Sequence, residues 1–198
     1  LLLGESTLAD VLTASKEGYD LIPGNMDLTA AEIQLMDMPN RESRLKQALA
    51  PIRSDYDFII IDCPPSLSLL TLNALAAADG IIVPMQCEYF ALEGLSSLIN
   101  TIDALKQKLN PALEIDGIIR TMFDIRNNLA NAVSNELTRH FGDVVFRTLV
   151  PRNIRLAEAP SHGQSILNYD KGSRGAIAYM GLAGEVIRRT DAAMKENI

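Results

Sequence analysis

Two short apolar runs, each closed by proline within a few residues, constrain the fold of this chain more than any other feature. Residues Phe58–Ile61 form an unbroken apolar run that ends on Asp62 and two prolines, and residues 80–83 end on Pro84. Such runs suit strands that are buried on both faces, as in a parallel sheet, and proline cannot donate the hydrogen bond that would continue a ladder. The sequence therefore predicts buried parallel strands that end at these prolines.

The rest of the chain alternates predicted strands with predicted helices. Further strands are predicted at 19–22, 115–122 and 144–150. Helices are predicted at 7–12, 28–36, 41–49, 66–78, 92–109, 129–141, 154–159 and 175–194. This alternation is typical of parallel βαβ units. We expect a single domain over residues 1–198 with an α/β fold, a doubly wound, mostly parallel sheet and helices on both faces.

Composition narrows the class of protein. The chain has 198 residues, 47% of them hydrophobic and 22% charged, which is ordinary for a globular protein. No uninterrupted apolar run approaches ~18 residues, so a membrane span is not expected. The cysteines, Cys63 and Cys87, have no metal-site spacing, and we expect small buried thiols in a reducing, cytosolic environment. The net charge is −7, so nucleic-acid binding requires a local basic patch.

Four motifs carry a resemblance to a known family. They read DCPPSLSLLTLNALAAAD from residue 62, GIIVPMQCEYFALEGL from residue 80, VPRNIRLAEAPSHG from residue 150 and SRGAIAY from residue 173. In this order they closely resemble the ParA/Soj family of chromosome- and plasmid-partitioning ATPases. The resemblance implies a P-loop NTPase-like fold, ATP and Mg²⁺ as cofactors, and a homodimer when ATP is bound. It also implies non-specific DNA binding, a ParB-like partner that stimulates hydrolysis, and a cytoplasmic, nucleoid-associated location.

The resemblance also implies roles for individual residues in nucleotide chemistry. Asp62 matches the Walker B carboxylate, a catalytic position that holds Mg²⁺ through water. Taken alone, the pattern around Asp62 favours a cap of the following turn, and the surrounding motifs favour the magnesium role. Thr121, Met122, Pro151 and Asn153 match the adenine pocket. The plainer alternatives are that Met122 fills the core and that Asn153 caps the next helix.

Two further surfaces are predicted. Glu88, Tyr89 and Phe90 follow the strand at 80–84, in a region that the family places near its dimer face; the alternative is a plain strand-to-helix connection. Residues 120–155 hold six arginines, no lysine and three acidic residues, which is a net +3. Arginine suits bidentate phosphate contacts, and by resemblance Arg126 and Arg155 are the DNA-binding positions. Arg139 is expected to pair with Glu136 instead, and Arg152 is expected to lie beside the nucleotide.

The family's N-terminal elements do not occur in these 198 residues. A glycine-rich K-G-G-x-G-K-[ST]-[ST] loop cradles phosphate in the family, and neither that P-loop nor its strand is present. The expectation is a fragment that lacks about 60 residues by family resemblance, is inactive alone and is poorly stable. Two alternatives remain: a catalytically inactive ParA-like interaction module, and a MinD-like membrane-associated ATPase, which the tail IRRTDAAMKENI does not favour because it has no aromatic residue.

Overall fold

The computed structural model describes residues 1–196, and these divide into two compact units. The first unit contains residues 1–80 and 103–114, and the second contains residues 81–102 and the chain from Ile115 onward. Each unit has its own packing. The single domain expected over residues 1–198 stays a prediction.

The first unit consists of short elements that pack around a buried amide. Its elements are α1 (Leu8–Val11), β1 (Thr13–Ala14), β2 (Asp20–Leu21), α2 (Asp27–Leu35), α3 (Arg44–Leu49) and α4 (Leu69–Ala77). Asn73 of α4 is completely buried. Its amide nitrogen donates to the carbonyl of Arg41 at 2.7 Å, and its amide oxygen accepts from the N–H of Leu45 at 3.1 Å. A buried amide needs such partners, so Asn73 ties α4 to α3 and to the turn before it.

The second unit is built on a parallel sheet. Its elements are β3 (Gly80–Gln86), α5 (Ala91–Lys108), β4 (Glu114–Phe123), α6 (Asn128–Phe141), β5 (Val145–Pro151), α7 (Ile154–Glu158), α8 (Ile166–Tyr169) and α9 (Arg174–Glu196). Of these elements, Gly80, Glu114 and residues 103–108 of α5 belong to the first unit. The strand order is β3-β4-β5, and β4 runs parallel to β5. The strands predicted at 80–84, 115–122 and 144–150 are therefore confirmed as members of the sheet. The prediction that the first of them is buried on both faces and ends at Pro84 is wrong, because Ile82 is 41% exposed and β3 continues to Gln86. β3 is at the edge of the described sheet, where proline is tolerated.

Helices cover both faces of this sheet. On one face, Ile118 and Val145 belong to a core cluster to which α5 and α6 contribute. On the other face, the next residues along the strands, Ile119 and Phe146, pack against α7 and α9. Successive side chains of a strand point to opposite faces, which explains why neighbouring residues enter different clusters. The predicted α/β class, with helices on both faces, is confirmed.

The register between β4 and β5 is irregular. Ile118 lies opposite Val145, but Arg120 lies opposite Leu149, so β5 contains extra residues that bulge from the ladder. The half-buried guanidinium of Arg120 donates to the carbonyl of Phe146 at 2.6 Å and thus satisfies one of the bulged carbonyls. Its Nε atom is buried without a hydrogen-bond partner among the described residues.

Glu185 of α9 satisfies the N–H groups of the same bulge. Its carboxylate accepts from the N–H of Arg147 at 2.8 Å, from the N–H and hydroxyl of Thr148 at 3.0 and 2.8 Å, and from Arg189 at 3.0 Å. Burial raises the pKa of Glu185, but these four donors outweigh it and lower the pKa to about 2. The Arg189 guanidinium also lies 4.1 Å above the ring of Phe146. A charged Glu185 therefore joins α9 to β5.

The predicted strand over residues 58–61 is wrong. No strand forms there in the described part of the chain, and Phe58, Ile59 and Ile60 are 46%, 40% and 90% exposed. A strand exists only where a neighbour supplies the ladder hydrogen bonds, and no described residue pairs with this segment. The burial expected for Cys63 is also wrong, because Cys63 is exposed, whereas Cys87 is buried as expected.

Candidate functional site

A pocket of about 450 Å³ opens at the carboxyl ends of β4 and β5. The four residues predicted to contact adenine, Thr121, Met122, Pro151 and Asn153, all line it. Open α/β sheets place their ligands at the carboxyl ends of parallel strands. The structure therefore brings these four residues together at the edge of the sheet where a ligand is expected. Their contact with adenine stays a prediction.

Met122 has a strained backbone at the mouth of this pocket. Its φ angle is 49°, in the left-handed region that residues with a side chain rarely adopt. The irregular register between Arg120 and Phe123 spans this position. The Met122 side chain is 44% exposed, so the alternative of a core filler is wrong. Such strain costs on the order of 1–3 kcal/mol and is concentrated at functional sites.

Asn153 has two roles available to its side chain. The amide oxygen caps α7 by accepting from the N–H groups of Arg155 at 2.9 Å and Leu156 at 3.3 Å. The predicted alternative of a helix cap is thus confirmed for the oxygen. The amide nitrogen makes no hydrogen bond to any residue that the structure describes. Because the cap fixes the side chain, that nitrogen is a positioned donor at the pocket.

Sequence reasoning missed part of the pocket. The remaining lining residues are Val150, Arg152, Ile154, Leu156, Ala157 and Tyr179. Only Arg152 was expected beside the nucleotide. Tyr179 lies in the SRGAIAY motif, and the glycine of that motif explains its position. A Cβ atom at Gly175 would lie 2.5 Å from Leu156, so only glycine lets α9 approach α7 this closely.

Asp62 lies in an exposed segment without helix or strand, between residues 56 and 68. Its carboxylate makes no hydrogen bond or ion pair to a described residue, and α4 is capped by Ser68 instead. Within the described residues, no group of three or more His, Cys, Asp or Glu side chains forms a metal cage. A single free carboxylate nevertheless fits Mg²⁺, which takes most of its ligands from phosphates and water. The magnesium role of Asp62 stays a prediction.

An exposed aromatic pair follows β3. Tyr89 and Phe90 are 75% and 70% exposed, and their rings meet edge to face with centroids 4.9 Å apart. Glu88 beside them is exposed as well. Adjacent exposed aromatic rings are typical of a surface that another protein covers. The assignment of these three residues to a dimer face stays a prediction.

Arg126 lies in the loop between β4 and α6, and its side chain is 87% exposed. Its Nε and Nη2 atoms donate to the two oxygens of Asp124 at 3.0 and 2.8 Å. These hydrogen bonds, with that of the Arg126 N–H, lower the pKa of Asp124 to about 2. The guanidinium is therefore at the surface but already paired with an anion.

Arg155 on α7 is half exposed and paired in the same way. Its Nη1 atom donates to Glu158 at 2.8 Å, and its Nε atom lies 3.5 Å from a carboxylate oxygen of Asp170. The hydrogen bond from Arg155 is the main reason that the pKa of Glu158 is lowered. Arg139 donates to Glu136 at 2.6 Å, which confirms the pairing predicted for it.

The chain is similar to named proteins along nearly its whole length. A family model described as an AAA domain matches residues 1–115. The sporulation initiation inhibitor protein Soj of Bacillus subtilis is 49% identical over 187 residues, which are 94% of this chain and 74% of that protein. The chromosome partitioning protein ParA of Myxococcus xanthus is 50% identical over 189 residues, which are 95% of this chain and 67% of that protein.

The fold is similar to that of a solved structure. The crystal structure of cobyrinic acid a,c-diamide synthase from Mycobacterium smegmatis with bound ADP and magnesium matches with a TM-score of 0.80 and 35% identity. The match covers 97% of this chain and 71% of that one.

The parallel sheet with helices on both faces is thus a P-loop NTPase-like α/β fold. At about half identity over nearly all of its residues, this chain belongs to the ParA/Soj family of chromosome partitioning ATPases. The resemblance inferred from the four motifs is confirmed.

The MinD-like alternative concerns a helix that lies on a membrane, so whether a helix can span the bilayer does not decide it. No helix in the described part of the chain is long and apolar enough to cross a bilayer. Residues 197 and 198, which end the tail that was compared with MinD-like proteins, lie outside the described residues.

Proposed function

We propose that the complete protein containing this chain is a partitioning ATPase of the cytoplasm. In this proposal it binds ATP and Mg²⁺, dimerises in the ATP-bound state and binds DNA without sequence preference. A ParB-like partner stimulates hydrolysis and thereby releases the dimer from DNA. The observation that carries the proposal is the pocket, because four residues from two strands and a helix N-terminus, assigned to adenine by resemblance, line one cavity.

In this proposal, different residues of the chain contact the base, the metal, the DNA and the second copy. The walls at Met122 and Pro151 hold the base, and the amide nitrogen of Asn153 donates to it. The Asp62 carboxylate orients the hydrated metal. When bound, Mg²⁺ would supply positive charge that neutralises the phosphates of ATP. Arg126 and Arg155 contact DNA phosphates, which carry no sequence information. Tyr89 and Phe90 bury apolar surface between the two copies.

The first prediction tests the pocket through Asn153→Asp. The carboxylate keeps the oxygen that caps α7 but removes the amide donor and adds negative charge beside the nucleotide. We expect ATP affinity of the complete protein to fall on the order of tenfold, measured by calorimetric titration. Asn127→Asp is the matched control, because Asn127 caps α6 through the same kind of bonds and does not line the pocket. Equal affinities for the two variants would remove Asn153 from the site.

The second prediction tests the arginine surface. A two-fold dimer presents four arginines at Arg126 and Arg155, so replacing both residues with alanine should reduce the logarithmic salt slope of DNA binding by about 3 to 4. Affinity should fall on every duplex sequence, while ATP binding persists. The measurement is DNA affinity of the ATP-bound dimer at several salt concentrations. Arg139→Ala is the control, since Arg139 lies in the same arginine-rich span but pairs with Glu136. An unchanged slope in the double variant would place DNA elsewhere.

The competing proposal is a catalytically inactive interaction module. It predicts that the complete protein binds its partner or DNA equally well with and without ATP. The partitioning proposal predicts DNA binding only in the ATP-bound state. One titration of DNA with and without nucleotide therefore separates the two proposals.

A further inference from the structure

Both arginines of the proposed DNA surface are paired with carboxylates of nearby residues. Arg126 is bound by Asp124, and Arg155 is bound by Glu158 with Asp170 nearby. These carboxylates occupy the Nε and Nη2 donors of Arg126 and an Nη1 donor of Arg155. A DNA phosphate must therefore use the remaining donors beside a bound carboxylate, or displace that carboxylate.

The Asp124 contact is a fixed arrangement. One carboxylate oxygen accepts from both the backbone N–H and the Nε atom of Arg126, each at 3.0 Å, and the other oxygen accepts from Nη2 at 2.8 Å. The backbone bond holds the carboxylate in the turn, and the two side-chain bonds hold the fork against it. A DNA phosphate that approaches Arg126 is attracted by the guanidinium but repelled by the Asp124 carboxylate that is bound to it.

The contact at Arg155 is fixed by a second set of bonds. The same oxygen of Glu158 accepts from Arg155 at 2.8 Å and from the hydroxyl of Tyr169 at 3.2 Å. Tyr169 stacks on His162, with ring centroids 4.8 Å apart. Glu158 is therefore oriented by α8 as well as by its own helix, and Arg155 is oriented through it.

We propose that Asp124 and Glu158 are positioning residues that limit the affinity of this surface for DNA. Each carboxylate sets the orientation of its arginine and occupies part of the guanidinium fork. Whether phosphate binds the remaining donors or displaces the carboxylate, the carboxylate charge stays close to the bound phosphate and repels it. Both effects weaken binding, so removal of either carboxylate charge strengthens it. This inference rests on the DNA binding proposed above.

The test uses Asp124→Asn and Glu158→Gln in the complete ATP-bound protein, with a random-sequence DNA duplex as the probe. Both amides preserve shape and an acceptor oxygen, so the turn at Asp124 and the Tyr169 contact are retained. Releasing an exposed pair is worth a few-fold, and a dimer carries each pair twice. We expect each variant to bind DNA about tenfold more tightly. Glu114→Gln is the charge-matched control, because it frees Lys106 from a surface pair in the other unit.

A double variant shows whether the gain in DNA affinity of Asp124→Asn depends on Arg126. Asp124→Asn combined with Arg126→Ala should bind no more tightly than Arg126→Ala alone, whereas a general charge effect would persist without the arginine. The inference is overturned if Asp124→Asn and Glu158→Gln gain no more affinity than Glu114→Gln. If Arg126→Ala and Arg155→Ala do not weaken DNA binding, the proposed DNA surface itself fails. If the alanine variants weaken binding but the amide variants do not strengthen it, only the positioning role fails.

Discussion

Replacement of Asp62 with alanine is expected to lower magnesium-dependent ATP hydrolysis by the complete protein by about 10- to 100-fold. That range is typical for the loss of a residue that orients a metal through water. The fold should survive, because Asp62 is exposed and makes no hydrogen bond or ion pair among the residues that the structure describes. The Mg²⁺ concentration needed for half-maximal turnover should rise, which distinguishes lost metal binding from a general loss of active protein.

Asp57→Ala provides the matched control for that measurement. Asp57 is another exposed aspartate of the same segment without helix or strand, five positions before Asp62. Its loss should leave the magnesium titration unchanged. Normal turnover and a normal magnesium requirement in Asp62→Ala would refute the Walker B assignment.

The second large effect is expected for the stability of the sheet, from Glu185→Ala. The substitution removes the acceptor of two N–H groups of the β5 bulge and of the Thr148 hydroxyl. Arg189 also loses its carboxylate partner and keeps, among the described residues, only carbonyl acceptors. Removing one partner of a buried, charged hydrogen-bond network costs about 3 kcal/mol. Thermal unfolding should then shift down by about 10 °C, as followed by circular dichroism. Glu114→Ala, which removes an exposed acid with one surface partner, should shift the midpoint far less.

Glu185 also predicts a pH dependence of that stability. Its pKa is lowered from an ordinary 4.5 to about 2 in the folded chain, so the unfolded chain binds the proton more tightly. The stabilisation is therefore complete above about pH 4.5 and is lost as the pH falls toward 2. Glu185→Gln should lack this part of the acid transition. A Glu185→Gln variant that loses free energy of unfolding between pH 5 and pH 2 as steeply as the natural sequence would contradict the assignment.

The periodicity of apolar residues correctly predicted the three strands of the parallel sheet and the two helices that connect them. The strands β3, β4 and β5 and the helices α5 and α6 were expected within about three residues of their observed bounds, because burial on a strand or a helix leaves a pattern in consecutive residues. The same reasoning failed at residues 58–61. Their apolar pattern is as strong, but a strand also requires a hydrogen-bonding neighbour, and a run of residues does not contain that information.

The candidate site divides in a similar way. The residues assigned to the pocket by resemblance do line one cavity, and the pairing of Arg139 with Glu136 followed from helical spacing. Tyr179 was missed because it reaches the pocket from α9, and its place depends on the close contact of Gly175 with Leu156. The carboxylates that hold Arg155 were missed as well. Glu158 lies at the same i,i+3 spacing and could have been found in the same way, whereas Asp170 meets Arg155 only through the packing of α7 and α8.

The sequence by itself therefore determined the α/β class, the family and the chemical types gathered at the pocket. All of these depend on residue identity and on spacing within short segments. Only the tertiary structure decided the bulge of β5, the burial and low pKa of Glu185, and the neutralisation of Arg155 by Asp170. The physical reason is distance along the chain. Glu185 and the N–H of Arg147 are 38 residues apart, and a hydrogen bond between such groups exists only after the helix has packed against the strand.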